Sequence, residues 1–205
     1  MPSLLSPRVK NVQASIQKST TGGGSYLNPS SITEDTVRIS FLTNPDPTAE
    51  SSIAGYEVWV ADAEGKRKGM RFSSEPTRED IAERAKEMKL EPVGDEKIKA
   101  FYAFAVWNYD TETVQVFQFS QQGLCDPITN YLSEEEIEAE PDTWDFKLGS
   151  TGQGLDKRYS VFALPGHRRK EPVAKKVNAA WEKVRDDGFD LTQLFAGGNP
   201  FKPTF

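Results

Sequence analysis

From Thr36 onward the chain alternates apolar and polar residues. In "TVRISFL" Val37, Ile39 and Phe41 interleave with Arg38 and Ser40, a period of two that predicts a strand with one buried face. Two prolines in "NPDPTAESS" break the pattern; "GYEVWVAD" resumes it, "AEGKRKG" turns it and "MRFS" returns, which predicts a hairpin over 55–73. The period then changes. In "TREDIAERAKEMK" Thr77 is followed three residues later by Asp80, close to a capping box, and Ile81, Ala85 and Met88 share one helical face.

The densest apolar stretch, "FYAFAVWNYDTETVQVFQF" at 101–119, predicts a hairpin turning at Thr111 and Glu112 with Tyr109 opposite Val114. One face then carries Tyr102, Phe104, Val106, Phe117 and Phe119, with polar Asn108 and Gln115 near the turn, and is the expected core. The other carries Trp107, Tyr109, Val114 and Val116 and thins out to Ala103, Ala105 and Gln118. Large rings among small and polar neighbours suggest a partly exposed platform; the alternative is packing beneath another strand or the C-terminal helix.

Further on, Asp126 as N-cap would place Pro127 in the first turn of a helix at about 126–138. "TWDFKLG" and "KRYSVFAL" read as strands joined by the glycine-bearing turn "STGQGLD". In "PVAKKVNAAWEKVRDD" Val173, Val177, Ala180, Trp181 and Val184 recur at helical spacing. Residues 1–33 are rich in Ser, Thr, Gly and Pro and are expected to form a flexible arm. The expected organisation is one domain over 34–165, a basic linker and amphipathic helix over 166–188, and a C-terminal tail over 189–205.

A chain of 205 residues can bury one sizeable core. With 37% hydrophobic residues and no apolar run near the ~20 a membrane helix needs, no span is expected. No secretory signal is legible at the N-terminus, so the expected location is cytoplasmic. Cys125 is the single cysteine and His167 the single histidine, which leaves no disulfide framework and no Cys/His zinc site. His167 stands in "GHRRKEP" and reads as part of a solvated loop. "TGGGS" at 21–25 lacks the lysine and the strand-to-helix context of a phosphate loop and reads as a linker. No metal or other cofactor is expected.

The formal net charge is −6, but its distribution matters more. Over 143–176 Lys147, Lys157, Arg158, Arg168, Arg169, Lys170, Lys175 and Lys176 face only Asp145, Asp156 and Glu171, and "GKRKGMR" at 65–71 is a second basic cluster, while "SEEEIEAEPD" gathers acid. Rings on a sheet surface beside Lys and Arg are what single-stranded nucleic acid uses: bases stack and cations track the phosphates. The candidate binding residues are Trp107, Tyr109 and Trp59 for stacking and Lys66, Arg67, Lys68, Arg71, Lys147 and Arg158 for the backbone. The element order predicts a mainly β fold, an OB-fold-like Greek-key barrel with an inserted hairpin and helix and a C-terminal helix.

The run "FAFAVWNYDTETVQVFQFSQQGLCDPITNYL", followed by "WDFKLGSTGQGLDKRYSVFALP", resembles the OB-fold single-stranded DNA-binding proteins of tailed bacteriophages. Val106, Trp107, Asn108, Gly152, Gly154, Leu155 and Tyr159 carry the likeness, which covers about 98–165. The resemblance implies a non-catalytic, sequence-independent single-stranded DNA-binding protein of phage replication or recombination, acting in the host cytoplasm and able to self-associate on DNA. It also implies a tail that recruits replication proteins, here with Phe201 and Phe205 as anchors; docking of the tail on its own domain is the alternative. Two departures stand out: the Cys-rich zinc insertion of some relatives cannot be built here, and acid stops short of the C-terminus at "EKVRDDGFD". Two other functions compete. One is a protein–protein adaptor or virion component whose aromatic face is an interface core. The other is a metal-dependent nuclease using "SEEEIEAEPD", although a carboxylate run is ordinarily a solvated face.

Overall fold

A computed structural model of the chain describes residues 24–46, 50–92, 97–167 and 170–201. Among the described residues the fold is mainly β, an open mixed sheet of nine strands with four α-helices. The strands are β1 (Tyr26–Leu27), β2 (Val37–Phe41), β3 (Ser52–Ala61), β4 (Arg67–Phe72), β5 (Glu91–Pro92), β6 (Lys99–Asn108), β7 (Thr113–Phe119), β8 (Trp144–Thr151) and β9 (Arg158–Pro165). The helices are α1 (Arg78–Glu87), α2 (Gln122–Leu132), α3 (Glu135–Ala139) and α4 (Glu171–Asp186). The spatial order is β1-β7-β6-β2-β8-β9, and β3 pairs with β4, β5 and β6. Among the described residues no helix is long and apolar enough to cross a membrane.

The sheet divides because β6 serves two neighbours along one edge. Its first half pairs with β3, from Glu57 opposite Lys99 to Ser52 opposite Phe104; its second half pairs with β2, from Phe41 opposite Val106 to Ile39 opposite Asn108. The β3–β4 hairpin is thus a wing at one end, and β2–β8–β9 continue the sheet at the other. The wing packs Val58, Val60 and Met70 against Ile81 and Ala85 of α1. Thr77 and Asp80 cap that helix reciprocally, as their spacing predicts, although Met88 is 43% exposed.

The β6–β7 hairpin has the two faces that alternation predicts, in a different register. Its loop is Tyr109–Glu112 and Trp107, not Tyr109, lies opposite Val114. A slip of two residues preserves parity, so every side chain keeps its face. Val106, Phe117 and Phe119 join Val37, Ile39, Phe41, Phe146, Leu148 and Val161 in the main core, closed by Leu124 and Ile128 of α2 and Ile137 of α3. Phe41 meets Phe104 and Phe146 edge-on, at 4.9 and 4.8 Å between centroids.

The second face is buried too, which corrects the platform expectation. Trp107 is 2% exposed and packs with Ala105 and Val114 beneath Val177 and Trp181 of α4, and Trp181 Nε1 donates to the Thr43 carbonyl at 2.8 Å. The tail covers the rest: Leu191 and Leu194, in a 3-10 turn, pack on Ile53, Phe101, Ala103 and Val116. The approach is close enough that a Cβ on Gly55 would stand 2.8 Å from the Phe195 ring. Phe201, expected as a partner anchor, instead meets Phe189 edge-on at 5.0 Å and is half-buried against its own domain. Phe205 lies outside the described residues.

Two boundaries shift. The expected arm reaches 33, but Leu27, Ile32 and the parallel pairing of Tyr26–Leu27 with Val116–Phe117 bring 24–33 into the fold; residues 1–23 lie outside the described ones. The polar pair near the turn is buried for the same reason, since Asn108 donates to Gln115 at 2.9 Å and Gln115 to the Gly24 carbonyl at 2.7 Å. The expected helix at 126–138 is α2 followed by α3, and Pro127 lies inside α2. An interior proline costs about 3 kcal/mol, which burial of Leu124, Cys125 and Ile128 on the sheet offsets.

Trp107→Ala is expected to destabilise the protein by about 3–5 kcal/mol, a loss visible in chemical denaturation, because it empties a packed site under α4. Truncation after Gly188 removes Leu191 and Leu194 from the core and is expected to lower Tm by several degrees in a thermal melt.

Candidate nucleic-acid interface

Helix α4 and the tail cover β6 and β7 but not the outer face of β8 and β9. On that face Arg38, Lys147 and Phe162 form one row across β2, β8 and β9, Arg38 opposite Lys147 and Lys147 opposite Phe162. Directly opposed side chains stand about 5 Å apart at Cβ. Phe162 is 54% exposed, the most exposed large hydrophobic side chain among the described residues, and Lys147 is exposed beside it. Arg158 and Ser160 continue the same face of β9, Arg158 exposed at roughly 13 Å from Phe162 along the strand. Phe162 was hidden in the sequence: in "KRYSVFAL" it alternates with Val161 and Ala163, and its neighbours across the ladder decide which side is open.

Beside this row is a buried polar hub. Asp145, 0% exposed, accepts from Arg38 Nε at 2.7 Å, Tyr109 OH at 2.9 Å and the His167 backbone N–H at 2.9 Å. Arg38 also donates from Nη2 to the Pro165 carbonyl at 3.1 Å, so its guanidinium is fixed at the margin of the row with 26% of its side chain exposed. Tyr109 is half-buried and meets His167 edge-on at 5.3 Å. It is a strut between α4 and the sheet, not a ring standing free for stacking.

The second basic cluster lies elsewhere. Glu57 is opposite Lys99 at the start of β6, whereas the Arg38 carbonyl accepts from the Tyr109 backbone N–H just past its end, ten positions on. Extended strand rises about 3.3 Å per residue, so the wing tip carrying Lys66, Arg67 and Lys68 lies roughly 30 Å or more from Lys147. These residues are exposed, and Asp62 shapes their turn by accepting from the backbone N–H groups of Lys66 at 2.9 Å and Glu64 at 3.1 Å. The Lys66 N–H, above all, holds the Asp62 carboxyl below its usual range. Lys68 pairs with Asp62 at 3.4 Å. Arg71 is spent internally, 3.3 Å from Glu57 and over the Phe101 ring at 4.6 Å. Trp59 is half-buried opposite Gly69 on the wing. The single groove expected from the sequence is therefore two separate surfaces.

A third feature is an open groove of about 1490 Å³ between residues 30–35, the start of α2 and the β8–β9 turn. Gly152, Gly154, Tyr159 and Arg158 line it, so three of the residues that carry the phage resemblance meet there. Gly152 and Gly154 adopt φ of 73° and 56°, the left-handed region that favours glycine and lets the turn close tightly. Lys157 secures the opposite wall, its ammonium donating to the carbonyls of Pro29, Ser30 and Ile32 at 3.1, 3.0 and 2.8 Å. Burial pulls the Lys157 pKa down and pushes that of Tyr159 up.

Neither protein-family models nor curated proteins match this chain. The assignment of a role therefore rests on the surfaces themselves. Among the described residues no group of three or more His, Cys, Asp or Glu side chains is placed to hold a metal ion. Burial pushes the Cys125 thiol up to about 11, so at neutral pH it is not the thiolate a nucleophile requires.

Asp145→Ala is expected to cost about 3–5 kcal/mol of folding stability, measured by denaturant titration, because it strands Arg38 and the Tyr109 hydroxyl and loosens the start of α4.

Proposed function

We propose that the protein is a non-catalytic module that binds single-stranded DNA, with the uncovered face of β8 and β9 as its primary contact. The observation that carries this reading is Phe162, an exposed ring directly opposite Lys147, with Arg38 and Arg158 further off on the same face. A ring on a sheet offers any base a stacking surface, and the cations beside it reach the phosphates that flank that base. Stacking is indifferent to base identity, so binding on this face is sequence-independent. The protein then acts by mass action, since a ligand that binds only unpaired strands shifts the duplex toward them.

The resemblance carried by residues 98–165 supports the same class and suggests a place in phage DNA replication or recombination, in the host cytoplasm. On this reading the open sheet is a derivative of the OB-fold barrel, in which β6 divides one edge between its partners β3 and β2 and the β3–β4 wing is the insertion. The wing tip would then meet the strand, or a second copy, at a distance. A second reading, a protein–protein adaptor, draws on the position of β9 at the end of the strand order, paired on one side by β8. There Phe162 would be a contact residue for another chain.

Anisotropy titration of a fluorescent oligo-dT at several salt concentrations separates the two. Phe162→Ala is expected to weaken binding by about 1–3 kcal/mol with Tm unchanged. Lys147→Ala and Arg158→Ala are each expected to flatten the dependence of log affinity on log salt by a little under one unit. Wild-type affinity and slope in all three variants would exclude this face as the DNA site; saturable binding to a protein without affinity for DNA would favour the adaptor.

A further inference from the structure

We infer that the groove between residues 30–35 and the start of α2 receives unpaired nucleobases of the same strand, and that it gives the protein a preference among bases. This inference rests on the single-strand reading above. Arg158 belongs to both surfaces: it is an exposed residue of the Phe162 face and it lines the groove. Between them Gly149 is buried against Thr33 and Thr36, so a strand lying over Phe162 passes the 33–36 segment, whose residues 33–35 wall the groove, to reach its mouth at Arg158.

The lining selects which part of the strand enters. Glu34, Asp35 and Asp126 bring three carboxylates, against Lys157 and Arg158 as cations. The ammonium of Lys157 has three N–H groups, and all three are committed to the carbonyls of Pro29, Ser30 and Ile32. It lends charge but no donor. A phosphodiester entering the groove therefore meets three carboxylates against two cations and is disfavoured there, while a neutral base is not. The remaining polar lining suits base edges, because the amides of Gln122 and Gln153 both donate and accept. Hydrogen bonding to base edges discriminates where stacking does not.

Gly123 supplies the test. It sits in the first turn of α2 and lines the groove, and a Cβ there would meet the Tyr159 ring at 3.7 Å, an ordinary contact. Gly123→Leu narrows the groove while raising helix propensity. A second variant, Gln122→Ala with Gln153→Ala, removes the amides without adding bulk. Each would be titrated with labelled oligo-dT, oligo-dA and oligo-dC on the order of 20 nucleotides long, enough to span both surfaces, with Phe162→Ala as reference.

The wild type is expected to rank the three homopolymers. Gly123→Leu should lower affinity for the preferred one by roughly five- to tenfold and compress the ranking, and the double glutamine variant should compress it too. Neither should change the salt slope, since no phosphate contact is lost. If both groove variants keep the wild-type affinities and ranking while Phe162→Ala binds more weakly, the groove inference is overturned and the face stands. Equal wild-type affinity for the three homopolymers likewise overturns it. If no oligomer binds, the single-strand reading itself has failed and the groove falls with it.

Discussion

Burial of the β6–β7 hairpin on both faces is the constraint on which the rest of the molecule depends. Ring-rich strands such as these, left open on one side, would expose Trp107, Phe101 and Val116 as one apolar patch. Instead α4 and the tail lie across that side, with Trp107, Val177 and Trp181 in one cluster and Phe101, Leu191 and Leu194 in the next. Main-chain pairing sets the sheet's order, but side-chain burial on its second face decides where chain after residue 170 must go. What that cover does not reach, the outer side of β8 and β9, is where Phe162 and Lys147 meet solvent. The candidate interface is thus the remainder of a packing problem.

Charges follow a comparable division between internal ties and free surface. Arg38 and Tyr109 converge on Asp145, Arg71 on Glu57, and Lys157 on three backbone carbonyls. A buried carboxylate is tolerable only with partners, and two of these ties join segments distant in sequence: Asp145 holds the α4 approach to β2, and Lys157 holds residues 29–32 to the β8–β9 turn. Of the cations nominated from the sequence for the phosphate backbone, those left exposed lie in two places, the β8–β9 face and the wing tip. On an acidic protein that concentration matters more than the total.

Much of the local structure was legible in the sequence. The capping box of α1, the faces of the β6–β7 hairpin, the β8–β9 pair and the apolar stripe of α4 all follow from periodicity and cap chemistry, which are properties of a few adjacent residues. The hairpin faces survived a register slip because parity is robust to a shift of two. The start of α2 was misplaced because Pro127 was taken as a boundary, whereas burial of Leu124 and Ile128 carries the helix through it. Residues 24–33 read as linker because nothing local in Gly, Ser and Pro announces that Ile32 and Leu27 find places in a distant core.

The sequence by itself determined that the chain is mainly β, which side chains share a face, and that cations and rings recur together. The tertiary structure alone decided which of those faces water reaches. Trp107 and Phe162 are both large rings on strand surfaces beside polar residues, and no local pattern separates them; one lies under α4 and the other does not. Exposure is set by contacts between segments some seventy residues apart, as when Val177 and Trp181 meet Trp107, and such contacts leave no period in the chain. The same holds for the basic clusters, whose separation follows from β6 pairing with β3 along one half and β2 along the other.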